Sequence, residues 1–111
     1  MSWSIEYPYK DVEQFVIDLP PKLGAKYLHL TDLMLEFGSN LGMPHSRAMS
    51  DGLFELRIKG QEGIGRVFYC TLVNKRIVML HGFIKKSQKT PPKELRKAQS
   101  RLKEVLENES Q

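Results

Sequence analysis

Cationic side chains that could hold a phosphate group recur where extended, apolar segments of the chain begin or end. Arg57 and Lys59 are two residues apart and therefore project from the same side of one segment. Arg66 begins the next segment, across a turn of sequence GQEGIG. Because a lysine among other cations has a lowered pKa, a lysine in such a group could act as acid or base. A third segment ends in the stretch HGFIKKSQKTP, which contributes Lys85, Lys86 and Lys89.

Aromatic and further titratable side chains accompany these cations. Tyr69 and Phe83 lie in the neighbouring segments, and their rings could stack on the bases of a single-stranded nucleic acid. His81 and Glu55 are possible acid–base residues, and Glu55 shares the side of Arg57 and could orient it. The alternative is that the lysines are solvated residues that protect an apolar strand from aggregation. Charge alone leaves the two interpretations open.

Hydrophobic periodicity predicts the elements that must position these residues. Apolar residues alternate in short strands and recur at steps of three and four in helices. The order β-α-α-β-β-β-α indicates a single α+β domain over residues 1–111, in which an antiparallel sheet combines with an N-terminal helical hairpin and a C-terminal helix. The pattern predicts strands over 3–7, 53–59, 66–73 and 76–84, and helices over 10–19, over 21–37 and from Pro91 onward.

The predicted connections use residues with the required backbone preferences. Residues 39–52 are predicted to form a loop and residues 60–65 a hairpin turn, because both are rich in Gly, Pro, Asn or Asp. Residues 74–75 (Asn-Lys) form a candidate two-residue turn, since Asn tolerates positive φ. Thr90 is predicted to cap the last helix, with Pro91 at its first position.

Composition bounds the class of protein. The chain has 111 residues, a net charge of +4 and an isoelectric point of about 9.3, so an anionic partner is plausible. The single cysteine excludes an internal disulfide and fits a reducing compartment. No apolar run approaches the roughly 20 residues of a membrane span, and the first residues lack the pattern of a secretory signal. We therefore expect a cytoplasmic protein without a membrane partner.

Neither a metal site nor a cofactor is expected. The three histidines have no spacing typical of metal ligands, and GQEGIG leads into a strand, whereas a dinucleotide-binding loop leads into a helix. Residues 85–103 contain eight Lys or Arg against one acid, Glu94. A local cationic cleft with aromatic neighbours favours binding to a single-stranded polyanion. For the cations of the last helix, Arg101 among them, a solvated face is the simplest interpretation.

Three stretches of the sequence resemble a known family when they are taken together. They read GMPHSRAMSDGLFELRIKG, then GRVFYC, then KRIVMLHGFIKKSQKTPPKELRKAQSR. Their joint presence in this order resembles the phage-derived, HigB-like branch of the RelE toxin superfamily. The resemblance is strong over residues 42–101, and the N-terminal helical hairpin fits it in outline. The RelE-like fold of that superfamily has the element order predicted here from periodicity.

The resemblance implies a toxin of a type II toxin–antitoxin module, which cleaves mRNA on the ribosome as a metal-independent endoribonuclease. The implied partners are the ribosome, mRNA and a HigA-like helix-turn-helix antitoxin, with operator DNA bound only through the antitoxin. By position, Arg66 and then Arg57 are the implied phosphate-stabilising residues. The remaining implied functional residues are Lys86 with Lys85 beside it, at the site, and Lys59 and Lys89, in contact with RNA or the ribosome.

The sequence departs from relatives of this superfamily at the general acid. The start of the last helix reads TPPKELRKAQ and lacks a tyrosine, and the final NESQ lacks a histidine. His81 and Tyr69 are the remaining candidates. A non-catalytic module that binds RNA or DNA through the same basic residues is therefore the alternative function, and a structural partner protein is a third.

Overall fold

Five strands and three helices follow one another in the parts of the chain that the structure, a computed structural model, describes: residues 2–61, 63–85 and 90–109. The predicted α+β class is confirmed. Within these ranges, no helix is long and apolar enough to cross a bilayer. The elements are β1 (Ser4–Glu6), α1 (Lys10–Ile17), α2 (Pro21–Phe37), β2 (Ser46–Ala48), β3 (Phe54–Gly60), β4 (Gly63–Leu72), β5 (Arg76–Lys85) and α3 (Pro92–Glu109).

The strands form one mixed sheet in the order β1-β5-β4-β3-β2. β3, β4 and β5 make the predicted antiparallel meander, whereas β1 pairs in parallel with β5. β2 is a short edge strand antiparallel to β3, inside the segment 39–52 that was predicted to be a loop. The strand was not predicted because its sequence is polar. Ser46 at its start has a tertiary role that the sequence does not show: its side-chain oxygen accepts hydrogen bonds from the backbone N–H groups of Leu41 and Gly42.

Two tight turns set the register of the meander. The pairing of β3 with β4 extends to Gly60 and Gly63, so the hairpin turn is shorter than the predicted 60–65 and Arg66 lies inside β4 instead of at its start. Asn74 and Lys75 have φ angles of 65° and 58°, the double positive φ of a type I′ turn. A turn therefore lies at the predicted position, but the pairing of Leu72 with Arg76 leaves three residues, 73–75, between the strands instead of two.

Helices cover both faces of the sheet. α1 and α2 pack on one face, where the buried residues of β3 to β5 are apolar throughout. α3 packs on the other face and covers only part of it. The first face contributes Leu56, Ile58, Val67, Tyr69, Ile77 and Met79 to the core, and the second contributes Phe68, Cys70, Val78 and Leu80 against Ala98, Leu102 and Val105.

A one-residue bulge in β5 changes the face that its later side chains occupy. His81 pairs with Phe68 and Met79 pairs with Tyr69, which leaves Leu80 as the extra residue. Before the bulge, even-numbered residues of β5 face α3; after it, odd-numbered residues do. Strict alternation along the sequence predicts the opposite face for every residue after Leu80.

Arg101 of α3 supplies a hydrogen-bond donor at this bulge. Its Nη1 donates to the carbonyl oxygen of Leu80 at 2.8 Å, and its Nη2 donates to the carboxylate of Asp11 in α1 at 3.0 Å. The guanidinium carbon also lies 4.2 Å from the centroid of the Tyr9 ring, a cation–π contact. The expectation of a solvated side chain is wrong for Arg101, because these contacts leave it only 17% exposed.

The start of α3 differs from the predicted cap. The carbonyl oxygen of Pro91 accepts hydrogen bonds from the backbone N–H groups of Glu94 and Leu95, so the helix begins one residue later than predicted, at Pro92. Thr90 does not serve as the N-cap. Its hydroxyl instead donates a hydrogen bond of 3.2 Å to Oε2 of Glu55. A cap at Thr90 would accept from the backbone N–H of Pro92 or Lys93, and Pro92 has none.

Candidate active site

The register brings most of the cations named from the sequence onto one face of the sheet. Arg57 of β3 pairs with Arg66 of β4, which pairs with Phe83 of β5; in the next row Lys85 pairs with Ile64. Cross-strand partners share a face, so these side chains lie beside one another near the end of the sheet that α3 leaves uncovered. We call Arg47, Glu55, Arg57, Arg66 and Lys85 the cationic face.

Arg57 and Arg66 form a close pair of like charges. The backbone N–H of Arg57 donates to the carbonyl of His45 on the β2 side, so its pairing with Arg66 on β4 is of the non-hydrogen-bonded kind. Cα atoms in such pairs are about 4.5 Å apart. Like charges directly opposite each other destabilise a sheet, and an anion bound between them would offset that repulsion.

Glu55 is the single carboxylate of the cationic face, and it is fully buried. Its Oε1 accepts a hydrogen bond of 2.8 Å from Nη1 of Arg66 and one of 3.1 Å from Nε of Arg47, while Oε2 accepts from Thr90. The expectation that Glu55 orients Arg57 is therefore wrong: the carboxylate contacts Arg66 and Arg47 instead. Arg47 and Thr90 were not identified from the sequence.

The side chain of Lys85 is buried without a hydrogen-bond partner among the described residues. It is 5% exposed, and no acceptor in residues 2–61, 63–85 or 90–109 lies within reach of its Nζ. Burial lowers the pKa of this amine, as does the positive charge of Arg66, and together they outweigh the attraction of Glu55. Lys86 and Lys89, which were also predicted to belong to the site, lie outside the described residues.

His81 and Phe83 follow the bulge and line the border between the cationic face and the core under α3. Nε2 of His81 lies 2.9 Å from Oε2 of Glu94, and the imidazole stacks on Phe83 with ring centroids 6.0 Å apart. Phe83 also contacts Phe68, at 5.8 Å between centroids, and remains partly exposed. The structure thus brings both predicted residues next to Arg66.

Tyr69 is the predicted residue that the structure does not bring to this face. Because side chains alternate along β4, Tyr69 lies on the other face of the sheet from Phe68 and Arg66, in the core beneath α1 and α2. It is fully buried, its hydroxyl donates to the carbonyl of Ser39 at 2.6 Å, and its ring stacks on Phe54. Burial raises the pKa of its phenol. Because α1 and α2 cover this face, Tyr69 cannot join the residues that lie with Arg66 on the other face, so this prediction is corrected.

Lys59 lies one row beyond Arg57 on β3 and is exposed. Both side chains line a small cavity at the outer edge of the sheet, together with Lys26, Pro44 and His45. No cluster of three or more His, Cys, Asp or Glu side chains in the described ranges has the arrangement of a metal site. The described cationic face thus holds four Lys or Arg residues against one carboxylate.

Comparison with known proteins places the chain in a family. The model of a family described as phage-derived protein Gp49-like (DUF891) matches residues 14–103. The chain belongs to this Gp49-like family. The matched range contains every described residue of the cationic face, from Arg47 to Lys85. No curated protein matches the Gp49-like chain significantly.

Proposed function

We propose that this Gp49-like protein is the toxin of a type II toxin–antitoxin module and that it cleaves mRNA on the ribosome. The observation that carries the proposal is the pairing of Arg57 with Arg66 beside the amine of Lys85, which has no hydrogen-bond partner among the described residues, with Glu55 as the single carboxylate of the cationic face as described. An excess of fixed positive charge next to a titratable amine suits a reaction whose transition state gathers negative charge on phosphate oxygens.

The proposed reaction needs no group beyond RNA and these side chains. The ribose 2′ oxygen forms a bond to the adjacent phosphorus while the bond from phosphorus to the 5′ oxygen breaks. The products are a 2′,3′-cyclic phosphate and a 5′ hydroxyl. The 2′ oxygen loses a proton and the 5′ oxygen gains one, so the reaction is balanced.

Three residues divide the work in this proposal. Arg66, held by Glu55, stabilises the charge on the phosphorane oxygens, and Arg57 assists from the adjacent strand. Lys85 accepts the 2′ proton in its neutral form, which a lowered pKa makes more abundant at a given pH. His81 is the second titratable side chain at this border and our choice of proton donor to the 5′ oxygen.

Family membership supports the biological setting. The Gp49-like family comprises toxin-like proteins of toxin–antitoxin systems. The sequence resemblance to the HigB-like branch of the RelE superfamily extends this to mRNA as substrate, the ribosome as the place of cleavage and a helix-turn-helix antitoxin as inhibitor. The net charge of +4 is compatible with a polyanionic partner.

A second candidate function is supported by the burial of the ion pair. Arg66 is only 1% exposed and Glu55 is fully buried, so in this alternative the two side chains pair with each other and neither touches a substrate. In that case the partly exposed Arg47 and the exposed Lys59 would bind RNA or DNA and no cleavage would follow. The first function predicts cleaved mRNA, and the second predicts nucleic acid that is bound but intact.

Cleavage mapping after induction of the protein separates these functions. We expect growth arrest and cuts in translated mRNA, with new 5′ hydroxyl ends that accept phosphate from polynucleotide kinase without prior dephosphorylation. Arg66→Ala should lower the cleavage rate about 10²- to 10³-fold, the effect of removing one transition-state donor. Lys103→Ala, which removes an exposed cation of α3, should cleave normally.

The folded state must be verified for Arg66→Ala, because this substitution leaves Glu55 buried with one fewer cation. Arg66→Lys keeps the charge but loses the planar guanidinium, so a folded Arg66→Lys protein with reduced cleavage would support the phosphate role. Uncut mRNA in cells that contain folded wild-type protein would contradict the nuclease proposal and favour the binding module.

A further inference from the structure

A second group of cations lies at the outer edge of the sheet, one strand away from Arg66. A cavity of about 140 Å³ opens there, which we call the edge pocket. α2 contributes one lining residue, the segment before β2 contributes two, and β3 contributes two. Four of the five carry basic side chains and none carries a carboxylate. The lining residues are Lys26, Pro44, His45, Arg57 and Lys59.

One residue that lines the edge pocket, Arg57, also has a buried donor without an acceptor among the described residues. Nε of Arg57 is inaccessible to solvent and has no hydrogen-bond partner among the described residues. Within the same ranges, no carboxylate forms an ion pair with Lys26, His45, Arg57 or Lys59. Nearly all buried donors in folded proteins are satisfied, so the guanidinium of Arg57 has hydrogen-bonding capacity that the described residues do not use.

The backbone at this position also offers N–H groups to an acceptor. β2 pairs with β3 only as far as Leu56, and the N–H of Arg57 makes the last contact, a 2.8 Å hydrogen bond to the carbonyl of His45. N–H groups along a strand point alternately to its two sides, so the N–H of Lys59 points to the same edge. Backbone N–H groups next to cationic side chains favour an anion.

From these observations we infer that the edge pocket binds a phosphodiester group of the RNA strand, next to the group held by Arg66 and Lys85. This inference rests on the proposed function, because it makes the strand that is cleaved the ligand. The cavity has room for a phosphate but not for a nucleoside. Arg57 links the two positions, since it is the cross-strand partner of Arg66 and also lines the pocket.

The inferred path of the RNA therefore runs across the strands, from β5 over β4 to the edge of β3. The simpler interpretation of Lys59 is protection of an exposed sheet edge against pairing with another chain. That role explains an exposed lysine on β3. It does not explain why Lys26 and His45, from two other segments, line the same cavity as Arg57.

A charge-removing substitution in α2 tests the pocket without touching the sheet. Lys26→Gln removes one lining cation, and Lys22→Gln is the matched control, because Lys22 lies one turn away on α2, is exposed and does not line the pocket. Affinity for a short single-stranded RNA with a 2′-deoxy group at the cleavage position should be measured by fluorescence anisotropy over a range of salt concentrations. The deoxy substitution prevents the reaction, so binding is measured alone.

We expect Lys26→Gln to weaken RNA binding several-fold at low salt and to make the slope of log affinity against log salt shallower by about 0.7, the value for one contact to a single-stranded phosphate. Lys22→Gln should behave as wild type. An equal loss in both variants would overturn the inference, because it would indicate a general effect of net charge.

Inorganic phosphate provides a second probe that distinguishes RNA from a free anion. NMR shifts of the His45 ring on phosphate addition, absent in Lys26→Gln, together with the selective loss of RNA affinity, would support the inference. Phosphate-induced shifts without any change in RNA affinity would overturn it in favour of a free-anion site. Cleavage is measured separately: a non-cleaving protein with the Lys26→Gln defect would refute the nuclease alone, whereas normal cleavage with unchanged affinity would refute only the pocket.

Discussion

The two faces of the sheet differ in how they use the same three strands. The face under α1 and α2 is apolar in every row, from Leu56 on β3 to Met79 on β5. The face under α3 changes from apolar to ionic within two residues of β4, between Phe68 and Arg66. A protein that needed only stability could continue the apolar packing across both faces, since buried ions are seldom more stabilising than well-packed apolar side chains.

This difference is what the proposed binding role of the cationic face predicts. Arg66 and Lys85 are buried cations, and the carboxylate of Glu55 contacts only the first of them directly. Burying these charges costs folding free energy through desolvation, a cost that is absent from the apolar face. We therefore expect substitutions on the two faces to separate stability from activity.

The largest effects should come from neighbouring residues of β3 that point to opposite faces. Leu56→Ala leaves a cavity in the core beneath α2 and should destabilise by about 2–5 kcal/mol. Glu55→Ala removes the carboxylate that pairs with the buried guanidinium of Arg66 and should destabilise by about 3–5 kcal/mol. Urea unfolding followed by circular dichroism measures both.

A double substitution then separates the two faces. Glu55→Met with Arg66→Met removes both charges of the pair, and we expect a protein at least as stable as wild type that no longer cleaves RNA. A double variant as unstable as Glu55→Ala would contradict the view that the Glu55–Arg66 pair of the cationic face serves cleavage and not stability. So would a Glu55→Ala variant that loses less than about 1 kcal/mol, as solvated pairs do.

Much of the fold followed from the sequence because its signals are local. The apolar steps of α2 end at Gly38, and Asn74 tolerates the positive φ of a hairpin turn, so neither prediction needed a distant contact. β2 was missed because Ser46 and Arg47 carry polar side chains with tertiary partners: the first is bonded to a preceding loop and the second to Glu55. The cap at Thr90 was wrong for a similar reason, since its hydroxyl has a distant acceptor.

The residues of the candidate site were predicted in part, and their arrangement was not. Alternation along one strand correctly placed Glu55 and Arg57 on a common side, yet it could not show that the carboxylate contacts Arg66. The bulge at Leu80 was invisible in the sequence, and it decides that His81 and Lys85 face the arginines. Two adjacent apolar residues before a histidine carry no signal for a bulge, because the donor that stabilises it, Arg101, is 21 residues away.

The next largest effect on stability should come from crowding on the apolar face at Gly82, which follows the bulge in β5. A Cβ atom on Gly82 would lie within 2.7 Å of Cε2 of Phe15 in α1, so Gly82→Ala should destabilise by about 1–3 kcal/mol through overpacking. The control is Gly24→Ala in the interior of α2, where the nearest atom is 3.8 Å away. It should stabilise by about 0.5–1 kcal/mol, because alanine is the better helix former.

Thermal unfolding of the two glycine variants measures both effects. Combining Gly82→Ala with Phe15→Leu should recover part of the loss, since the smaller side chain frees the space that the new methyl group needs. Equal stability of Gly82→Ala and wild type would mean that α1 can move away from β5 at little cost, and the apolar face would then be less rigid than its packing indicates.

The smallest expected effect on stability, with the most direct bearing on function, comes from Lys85. Lys85→Met replaces a buried amine that has no described acceptor by an apolar chain of similar length, and it should stabilise by about 1 kcal/mol while reducing cleavage. Because the pKa of Lys85 is lowered from 10.5, the folded state loses this proton first as pH rises.

The sign of the pH dependence follows from that order. Between the folded pKa and 10.5 the unfolded chain binds more protons, so the stability of the wild type should rise with pH in this window, and the advantage of Lys85→Met should shrink. Cleavage by the wild type should rise as the pH approaches the folded pKa of Lys85 and level off above it, because the neutral amine is the proposed base. Lys85→Arg keeps a charge that does not titrate there and should lose the rise. If cleavage by the wild type falls as pH rises through this window, Lys85 acts only through its positive charge. The cationic face would then bind RNA without supplying the base.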